Sequence, residues 1–424
     1  MVPRRLVILG INYAPELTGI APYTTEVAQH FAESGHIVRV VTGVPHYPGW
    51  RRQRIPPPSD QSNPEVVRYQ HFVPRRANAL GRMVYEASWL LSGSRSLLRG
   101  RADAVIGIVP SLSGGLLAVA AGRHWRVPVG IVIQDLMGPA AAQSGYRGGK
   151  QVAGVTRGLE RFVIRKANQV AYISEGFRPY LQKAGASEAS LHRVRAWTHP
   201  GRPTESIACC RARLGWLPGD FICLHAGNMG QKQELDIVLD AAARLSTTAG
   251  IRIVLAGDGN DRDRLVERSS RMGLSNVSFL GLQAPGQFEA MLRAADVLVL
   301  NQRSSVSDMS LPSKLAAYFS SGRPVVAAVA RDSEAEEQVR AARAGVVVDA
   351  GNAEAMAAAI AALKGSSQEA ATFGMSGKKY ADAHLGPERA LALYDEFLAC
   401  LLEVENDAPW PRVPLGASRE DIAR

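Results

Sequence analysis

The chain has 424 residues, of which 46% are hydrophobic and 21% are charged. This length predicts about two to three domains, and the globular composition excludes disorder for the bulk of the chain. The four cysteines form no CxxC pair and no metal-ligand spacing. They favour a reducing, cytoplasmic environment over a disulfide framework.

The charge is uneven along the chain. Residues 1–200 carry a net +14 and residues 201–424 a net −4, which gives the overall +10. Such an asymmetry favours an anionic partner for the first half, such as nucleic acid or an anionic membrane surface. Nucleic acid has little support, because the sequence contains no zinc-finger spacing, RNP-type motif or sustained basic helix.

The first half of the chain alternates apolar runs with helical periodicity. Helices are predicted at Ala21–Ser34 and Val152–Lys166. The apolar runs predict strands at Leu6–Gly10, Ile37–Thr42, Glu65–Tyr69, Ala104–Ile108, Val127–Gln134 and Gln169–Ser174. The first of these runs is too short for the apolar region of a signal peptide, so no signal peptide is expected.

Two segments of this half raise the question of a membrane. Ala104–Gly122 is uncharged and nearly of bilayer length, but its central Pro-Ser-Leu-Ser-Gly-Gly predicts a strand-to-helix loop instead of a span. Arg75–Arg101 mixes arginine with apolar and aromatic residues, as basic amphipathic helices do. It is either a surface helix packed on a sheet or a membrane-interface helix with Tyr85 and Trp89 at the headgroup level.

The second half repeats the alternation of strands and helices. The predicted strands are Phe221–His225, Ile251–Ala256, Val277–Leu280, Val297–Leu300, Val325–Ala328 and Gly345–Val348. The predicted helices include Glu234–Leu245, Gly286–Ala294 and Ser313–Ser321. Continuous apolar strands alternating with helices indicate parallel sheets covered on both faces. We therefore predict an α/β protein of two Rossmann-like domains with their boundary near Thr198–Glu205. The ligand is expected in the cleft between the domains, at the carboxyl ends of the strands.

Two loops of the first half are candidates for ligand contact. The loop from Asn12 to Tyr23 follows a strand and opens a helix, so its N–H groups can bind an anion, and Gly19 permits close approach of the backbone. Gln134 and Asp135 end a strongly apolar strand, where a carboxylate can face an acceptor hydroxyl and act as a general base. Without a ligand role, the first is a plain connection and the second is a helix-capping Asp.

Three turns of the second half, two rich in glycine and one that caps a helix, are candidates for phosphate binding. Gly227-Asn228-Met229-Gly230-Gln231-Lys232 lies between strand and helix and lacks the ending of a P-loop. Gly257-Asp258-Gly259 is a second such turn. In the third, Ser310 or its neighbour caps a helix, Lys314 adds a charge, and Asp308 can accept hydrogen bonds from sugar hydroxyls. The triplet Asp261-Arg262-Asp263 superficially resembles a metal-binding DxD, but residues i and i+2 diverge on a helix, so no metal is expected.

The ordered motifs resemble the GT-B glycosyltransferases of the retaining family 4, and most closely the colanic-acid-type bacterial polysaccharide glycosyltransferases. The resemblance runs from about Arg4 to Leu401. It is carried by the following stretches: INYAPELTGIAPYTTEVAQHFAESGHIVRVVT, PHYPGW, VIQD, GNMGQKQ, LAGDGN, AADVLVL and LPSKLAAYFSSGRPVVA.

The resemblance implies transfer of a sugar from a UDP- or GDP-sugar, with retention and without a metal or other cofactor, to a lipid-linked or cell-surface glycan. It implies an acceptor-side domain over residues 1–200, joined by a C-terminal helix at about 385–404. A donor domain over 201–384 and a flexible tail over 405–424 complete this expectation. The cytoplasmic chain would meet an anionic membrane through residues 75–101.

The resemblance also implies roles for individual residues. Lys232 binds the donor diphosphate, Gly19 lies near the departing phosphates, and Leu282, within Gly281–Gln283, lies near the nucleobase. The donor side further includes Gly227, Asn228, Gly257, Asp308, Ser310 and Lys314. His46, Tyr47 and Asp135 lie on the acceptor side, and Asp135 and Lys232 are the expected catalytic residues.

The sequence departs from the family pattern at three positions. Asn228 stands where the family usually has Arg, and Met309 and Ala317 stand where many members have paired glutamates. A shift by one residue lets Asp308 replace the first glutamate. The departures leave open a non-catalytic nucleotide-sugar-binding partner subunit. The sequence is also compatible with a soluble glycosyltransferase acting on a small molecule, a non-hydrolysing sugar-nucleotide epimerase or a nicotinamide dehydrogenase.

Overall fold

The computed structural model describes residues 2–16, 19–47, 49–54, 63–74, 79–138, 149–195, 197, 201, 203–284, 286–305 and 313–404. These residues form two compact units. The first comprises the described residues up to Ala171, Gln182–His192 and those from Tyr394 onward; the second comprises Tyr172–Leu181 and the described part of Arg193–Leu393. The last change of unit before the second sheet lies between His192 and Arg193, and the domain change near Thr198–Glu205 stays a prediction.

The first unit is built on a seven-stranded sheet in the order β3-β2-β1-β4-β5-β6-β7. Its strands are β1 (Arg5–Leu9), β2 (Ile37–Gly43), β3 (Glu65–Tyr69), β4 (Ala104–Val109), β5 (Val129–Ile133), β6 (Gln169–Tyr172) and β7 (Leu191–Arg193). The central strand β1 pairs in parallel with β2 on one side and β4 on the other. Strands β4 and β5 are buried along their whole length, because helices cover both faces of the sheet.

The helices of the first unit connect successive strands. They are α1 (Ala21–Glu33), α2 (Ala79–Gly93), α3 (Leu112–Trp125) and α4 (Gly149–Lys166), with a 3-10 helix at Ser94–Leu98 and the short α5 (Arg178–Ala184) assigned mainly to the second unit. Helix α3 is apolar nearly all round, and both α2 and α4 pack against it. The three helices therefore form one layer on one face of the sheet.

The second unit contains a six-stranded sheet in the order β10-β9-β8-β11-β12-β13. Its strands, which pair in parallel, are β8 (Phe221–Ala226), β9 (Ile251–Ala256), β10 (Val277–Leu280), β11 (Val297–Asn301), β12 (Val325–Val329) and β13 (Gly345–Asp349). Two clusters of buried side chains, one on each face of this sheet, form its core.

The helices of the second unit lie before, between and after these strands. They are α6 (Ile207–Arg213), α7 (Asp236–Arg244), α8 (Arg262–Arg271), α9 (Gln287–Ala294), α10 (Ser313–Ser320), α11 (Glu334–Ala342), α12 (Ala353–Gly365), α13 (Ser367–His384) and α14 (Pro387–Glu403).

The C-terminal half of α14 belongs to the first unit. Asp395 lies 2.8 Å from Nε2 of His30 on α1, and a Cβ at Gly130 in β5 would lie 2.6 Å from Cζ of Phe397. The glycine thus provides the space in which the phenylalanine ring packs on the sheet. This contact gives a physical reason for the return of the chain to its first unit.

Each sheet has a point where the strand order reverses. In the first unit it lies between β1 and β4, and in the second between β8 and β11. Loops at the carboxyl ends of strands diverge at such a point and leave a crevice in which α/β proteins bind ligands. The predicted pair of Rossmann-like α/β domains is confirmed. The candidate loops leave their sheets at the carboxyl ends of the strands.

The two membrane-like segments also have defined structures. Ala104–Gly122 forms β4, a short loop and most of α3, as the strand-to-helix prediction required. Tyr85 and Trp89 on α2 are buried, so the alternative that places them at a lipid headgroup level is wrong, and the aromatic face of α2 packs on its own domain. Arg75 and Arg76 lie outside the described residues. Among the described helices, none combines the length and the apolar character needed to cross a bilayer.

Candidate functional site

The loop after β8 is held against the loop after β9 by their backbones. The amide of Met229 donates to the carbonyl of Asp258 at 2.8 Å, and the amide of Asp261 donates to the carbonyl of Met229 at 3.0 Å. Gly257 has φ +133°, and a Cβ at this position would overlap the carbonyl oxygen of Gly227. The two glycine-rich turns predicted from the sequence therefore form one surface at the carboxyl edge of the sheet.

Lys314, on the first turn of α10, reaches the same surface. Its Nζ lies 3.2 Å from Nε2 of His225 and 3.5 Å from the carbonyl oxygen of Asn228. A Cβ at Gly227 would lie 2.6 Å from Cε of Lys314, so glycine is needed where the lysine side chain crosses the loop. Burial lowers the pKa of Lys314 to about 8, because desolvation disfavours the ammonium form.

His225 is fully buried at the end of β8, and desolvation lowers its pKa well below the usual value, with the Lys314 charge acting in the same direction. Its Nδ1 lies 3.2 Å from the carbonyl oxygen of Val299. A carbonyl oxygen can only accept, so Nδ1 carries the proton and Nε2 accepts from the Lys314 ammonium. The neutral histidine holds the lysine side chain at the loop.

Tyr318, one turn after Lys314 on α10, fixes the end of β8. Its hydroxyl accepts from the amide of Ala226 at 2.9 Å and lies 3.3 Å from the carbonyl of the same residue. Full burial raises the pKa of the phenol, so it remains a neutral donor and acceptor. Helix α10 is thus anchored directly to the strand that carries the candidate loop.

Lys232 is exposed on the outer side of the loop, and no side chain of the described residues pairs with its ammonium. The backbone beneath it is held in place, since its carbonyl accepts from the amide of Arg303 at 3.0 Å. The buried side chain of Asn301, at the end of β11, donates to the carbonyls of Gln233 and Glu234 at 2.7 and 3.0 Å. The loop is therefore braced from behind while the lysine faces solvent.

Asn228 does not supply the positive charge that the family usually has there. Its amide donates to Oε1 of Gln233 at 3.2 Å, which closes the loop on itself. Leu282 follows β10 at the same edge of the sheet and is 77% exposed, which is unusual for a leucine. Ala317 packs partly buried against the core. Asp308, Met309 and Ser310 lie outside the described residues.

In the first unit, the loops after β1 and β2 are joined by one buried carboxylate. Oε1 of Glu16 accepts from the backbone amides of His46 and Tyr47 at 2.7 and 2.8 Å, and Oε2 accepts from the side chain of Asn12 at 2.8 Å. Gly19 has φ +69°, and a Cβ there would lie 3.0 Å from the Tyr47 ring. Glu16 therefore sets the position of Tyr47 beside Gly19, at the N-terminus of α1.

The side chain of His46 is directed into the domain. It is buried, its Nδ1 donates to the carbonyl of Val44 at 2.8 Å, and its Nε2 lies 3.1 Å from the hydroxyl of Tyr85. Both ring nitrogens are thus engaged inside the protein. The structure places Tyr47, and not the His46 ring, at the surface beside Gly19.

Asp135 follows β5 and is partly buried at the carboxyl edge of the first sheet. Its Oδ1 accepts from the amide of Leu136 at 3.1 Å. The next residues are held by Glu160 of α4, whose buried carboxylate accepts from the amides of Met137 and Gly138 at 2.7 and 3.0 Å. Helix α4 therefore fixes the residues that follow Asp135 at the carboxyl edge of the first sheet.

Four residues that build these loops were not predicted from the sequence. They are Glu16, His225, Asn301 and Tyr318. Three of them have a feature of the sequence that could have predicted them. His225 and Asn301 are polar residues near the ends of otherwise apolar strands, and Glu16 is the sole acid in the loop between β1 and α1. Polar groups at buried strand ends require partners, which is why they connect to neighbouring loops.

Comparisons with known proteins agree with this architecture. Residues 18–197 match the glycosyl transferase 4-like domain, and residues 220–365 match the glycosyl transferases group 1. The chain is 30% identical over 332 residues to a protein named as a colanic acid biosynthesis glycosyl transferase, WcaI, of Escherichia coli, a match that covers 73% of this chain and 80% of that protein.

Solved structures show the same fold. The sucrose-phosphate synthase of Thermosynechococcus elongatus superposes with a TM-score of 0.74 at 17% identity, covering 93% of this chain and 99% of the other. HepE of Anabaena, in complex with UDP-glucose, gives a TM-score of 0.67 at 15% identity, covering 95% and 100%. Two parallel-sheet Rossmann-like domains of this kind constitute the GT-B fold. The chain belongs to the glycosyl transferase group 1 family, with a glycosyl transferase 4-like domain in its first half.

Proposed function

We propose that this glycosyltransferase moves a sugar from a UDP- or GDP-sugar to a lipid-linked or cell-surface glycan, with retention of the anomeric configuration. The observation that carries the donor assignment is the convergence of Lys314 on the loop that also bears Lys232. Two cations on one glycine-rich loop suit a diphosphate, which carries its charge on several oxygens. HepE, which shares the fold, is known in complex with UDP-glucose.

In this proposal Lys314 compensates for the missing arginine at position 228. The Asn228 amide is engaged with Gln233, but the Asn228 carbonyl receives the Lys314 ammonium, so a positive charge still lies at this point of the loop. The exposed Lys232 supplies the second charge. The exposed Leu282 offers an apolar surface for the nucleobase at the end of β10.

The proposed reaction breaks the bond between the anomeric carbon and the diphosphate oxygen. Negative charge then grows on the departing phosphate, and Lys232 and Lys314 stabilise it electrostatically without a metal. The amides around Gly19, at the N-terminus of α1, provide a second anion-binding group on the first domain. Among the described residues, no side chain caps this helix and no acid lies in its first turn, to which Pro22 contributes no amide.

On the acceptor side we assign Asp135 and Tyr47. The Asp135 carboxylate orients the acceptor hydroxyl, and the proton that this hydroxyl loses passes to the departing phosphate or to Asp135 itself. The His46 ring serves to position the loop that carries Tyr47, because both of its nitrogens are engaged internally. The relative WcaI, named for colanic acid biosynthesis, supports a glycan acceptor of the cell envelope.

The proposed function is tested first by thermal shift and calorimetry with UDP, GDP, ADP and dTDP. A ligand that binds only the folded state raises the Tm, so a selective response to UDP or GDP identifies the donor class. Lys232→Ala should remove most of the transfer and leave the Tm within the range of the control Lys378→Ala, an exposed lysine of α13. Equal transfer in the two variants would overturn the role of Lys232.

Transfer itself is followed with a radiolabelled nucleotide sugar and a membrane extract as the acceptor. Label in the lipid phase supports a lipid-linked acceptor, whereas label in the aqueous phase supports a soluble one. Retention is read from the anomeric proton coupling of the product, and insensitivity to EDTA tests the absence of a metal. A chain that responds to none of the nucleotides would be the non-catalytic partner subunit instead.

A further inference from the structure

Helix α2 carries an apolar stripe that faces solvent. Leu80 and Leu91 are 71% and 74% exposed, and Met83 and Val84 lie between them on the same helix face. The opposite face, with Tyr85 and Trp89, is buried. Glu86 fixes this orientation, because its carboxylate accepts from the hydroxyls of Ser111 and Ser113 at the start of α3.

Helix α4 carries a second stripe of the same kind. Val155, Leu159 and Phe162 are 63%, 38% and 45% exposed, and their spacing of four and three residues places them on one face of the helix. Half of the exposed large apolar side chains in the described part of the chain lie on α2, the 3-10 helix after it and α4. Because α2 and α4 flank α3, the stripes lie about 20 Å apart on one outer layer.

The charges around these stripes are sorted by sign. Each helix has one carboxylate, and both are directed inward: Glu86 to the start of α3 and Glu160 to the amides of Met137 and Gly138. The exposed charges are positive, with Arg95 and Arg99 after α2 and with Arg161, Arg165 and Lys166 on α4. The outer layer thus offers aliphatic side chains framed by arginine and lysine.

We infer that the outer faces of α2 and α4 together form a docking surface for an anionic lipid bilayer. Aliphatic side chains can enter the acyl boundary, while the neighbouring cations contact lipid phosphates. The sequence predicted a membrane contact through residues 75–101 only. The surface inferred here adds helix α4 to that contact. The inference deepens the proposed function, since it rests on an acceptor that is held in a membrane.

Charge complementarity selects a bilayer over a second copy of the chain. A symmetric dimer through this surface would place the same patch against itself, and the arginines of one copy would face those of the other. An anionic bilayer neutralises both halves of the surface at once. Two parallel stripes also require a flat, extended partner, which a bilayer provides.

The placement suits a membrane-borne acceptor. Helices α2 and α4 follow β3 and β5, so each begins near the carboxyl edge of the first sheet and ends at its amino edge. That carboxyl edge carries Gly19, Tyr47 and Asp135. A domain lying on these helices therefore holds its acceptor-side loops close to the headgroups.

The test uses the full chain and vesicles of phosphatidylcholine, alone or mixed with phosphatidylglycerol. Partition is measured by flotation for the wild type, for Leu80→Gln with Leu91→Gln, and for Val155→Gln with Phe162→Gln. The control pair is Leu217→Gln with Met375→Gln, two equally exposed apolar residues of the second unit. We expect strong preference for the anionic vesicles and a loss of about tenfold or more for each helix pair, against less than twofold for the control.

A charge pair completes the experiment. Arg95→Gln with Arg161→Gln should lower partition into anionic vesicles by about fivefold for each arginine at low salt, whereas the exposed Arg271→Gln should not. Equal partition of the α4 pair and the control pair would overturn the two-helix surface. Equal wild-type partition into neutral and anionic vesicles would overturn the lipid assignment.

Two further outcomes separate this inference from its rivals. If the helix pairs change the sedimentation mass and not the partition, the surface is a contact between copies. UDP binding is measured on the same proteins, because the substituted residues lie away from the glycine-rich loops. A wild type that binds vesicles but no nucleotide would contradict the proposed function and leave the docking surface standing.

Discussion

The Lys314 ammonium donates to Nε2 of His225, whose Nδ1 is committed to the carbonyl of Val299. A buried neutral histidine thus orients a lysine whose charge has no carboxylate partner among the described residues. Such a cation carries a desolvation cost, which lowers its pKa. In the proposed donor site, this pair takes the place of the arginine that the family usually has on the loop itself.

His225→Phe keeps a ring of similar size and removes the acceptor for Lys314. We expect the free energy of unfolding to fall by about 1–3 kcal/mol, because the Val299 carbonyl loses one buried donor and keeps the longer contact with the Tyr318 hydroxyl. We also expect UDP affinity to fall by about tenfold, because the lysine loses its orientation. Chemical denaturation and calorimetry measure the two effects. Unchanged UDP affinity in a folded variant would mean that Lys314 is positioned by the loop alone.

Lys314→Met should weaken UDP binding by about tenfold to a hundredfold through the loss of a charge-assisted contact. It should not lower the Tm at neutral pH, since it removes a charge whose burial is unfavourable. Lys364→Met, on α12 of the same domain, is the matched control for UDP affinity. The prediction fails if the two methionine variants bind UDP equally.

The pH dependence follows from the pKa of Lys314, which is lowered to about 8. Below about pH 8 the Lys314 ammonium is present and UDP binds with constant affinity. Above about pH 8 the free protein loses this proton, and the affinity for UDP should fall. The fall ends at the higher pKa that Lys314 has when UDP is bound. The phosphates of UDP are fully ionised in this range. His225 stays neutral throughout, because its pKa lies far below. Calorimetry between pH 7 and about 8.5, below the ionisation of the uracil ring, should therefore show a decline that Lys314→Met abolishes.

The free energy of unfolding changes with pH in the opposite direction to the affinity for UDP. Between about pH 8 and the ordinary lysine pKa, the unfolded chain binds the proton that the folded chain has lost. The contribution of Lys314 to the free energy of unfolding therefore rises with pH in that window. Denaturation curves of wild type and Lys314→Met should converge as the pH increases through it. Divergence would contradict the lowered pKa.

Gly257→Ala tests the contact between the two glycine-rich turns. The added Cβ overlaps the Gly227 carbonyl, and φ +133° is strained for alanine, so we expect a loss of about 2 kcal/mol or more in the free energy of unfolding. Gly281→Ala is the control, since nothing lies within 4 Å of its Cβ position and its φ is ordinary. Urea denaturation of both variants measures the difference. Equal stability would show that the turns shift without cost.

Asp135→Asn tests the acceptor side. We expect sugar transfer to fall by about tenfold to a hundredfold while UDP affinity stays within twofold, because the carboxylate acts on the acceptor and not on the donor. Initial rates at saturating donor give the first quantity and calorimetry the second. A variant with normal transfer would remove Asp135 from the acceptor site, and one with weak UDP binding would move it to the donor side.

Local patterns predicted much of this protein. The strands Glu65–Tyr69, Ile251–Ala256 and Val277–Leu280 have the bounds expected from the sequence, because a short run rich in β-branched and aromatic residues between turn residues is typical of a strand. The three-residue β7 escaped prediction, since its burial comes from neighbours and not from its own pattern. Glycine-rich turns were also readable, because their backbones need residues without a Cβ.

The amphipathic segment illustrates the opposite case. Leu80, Tyr85, Trp89 and Leu91 are all apolar or aromatic residues of one helix, and the sequence alone left open whether the aromatic pair packs on the sheet or faces a membrane. Packing against the first domain buries the aromatic pair and leaves the two leucines exposed. Which face of a helix is covered depends on neighbours far along the chain, which periodicity does not report.

Residue types repeated at short spacing predicted the fold class and the loops expected to meet ligands, and the ordered motifs carried the resemblance to the family. How those loops are held depends on contacts that no local pattern contains: Glu16 joins two of them, His225 orients Lys314, and the His46 ring turns inward. These contacts join residues 30 to 89 positions apart, or depend on which side of a loop is buried. Only the packed sheets bring such partners within hydrogen-bonding distance.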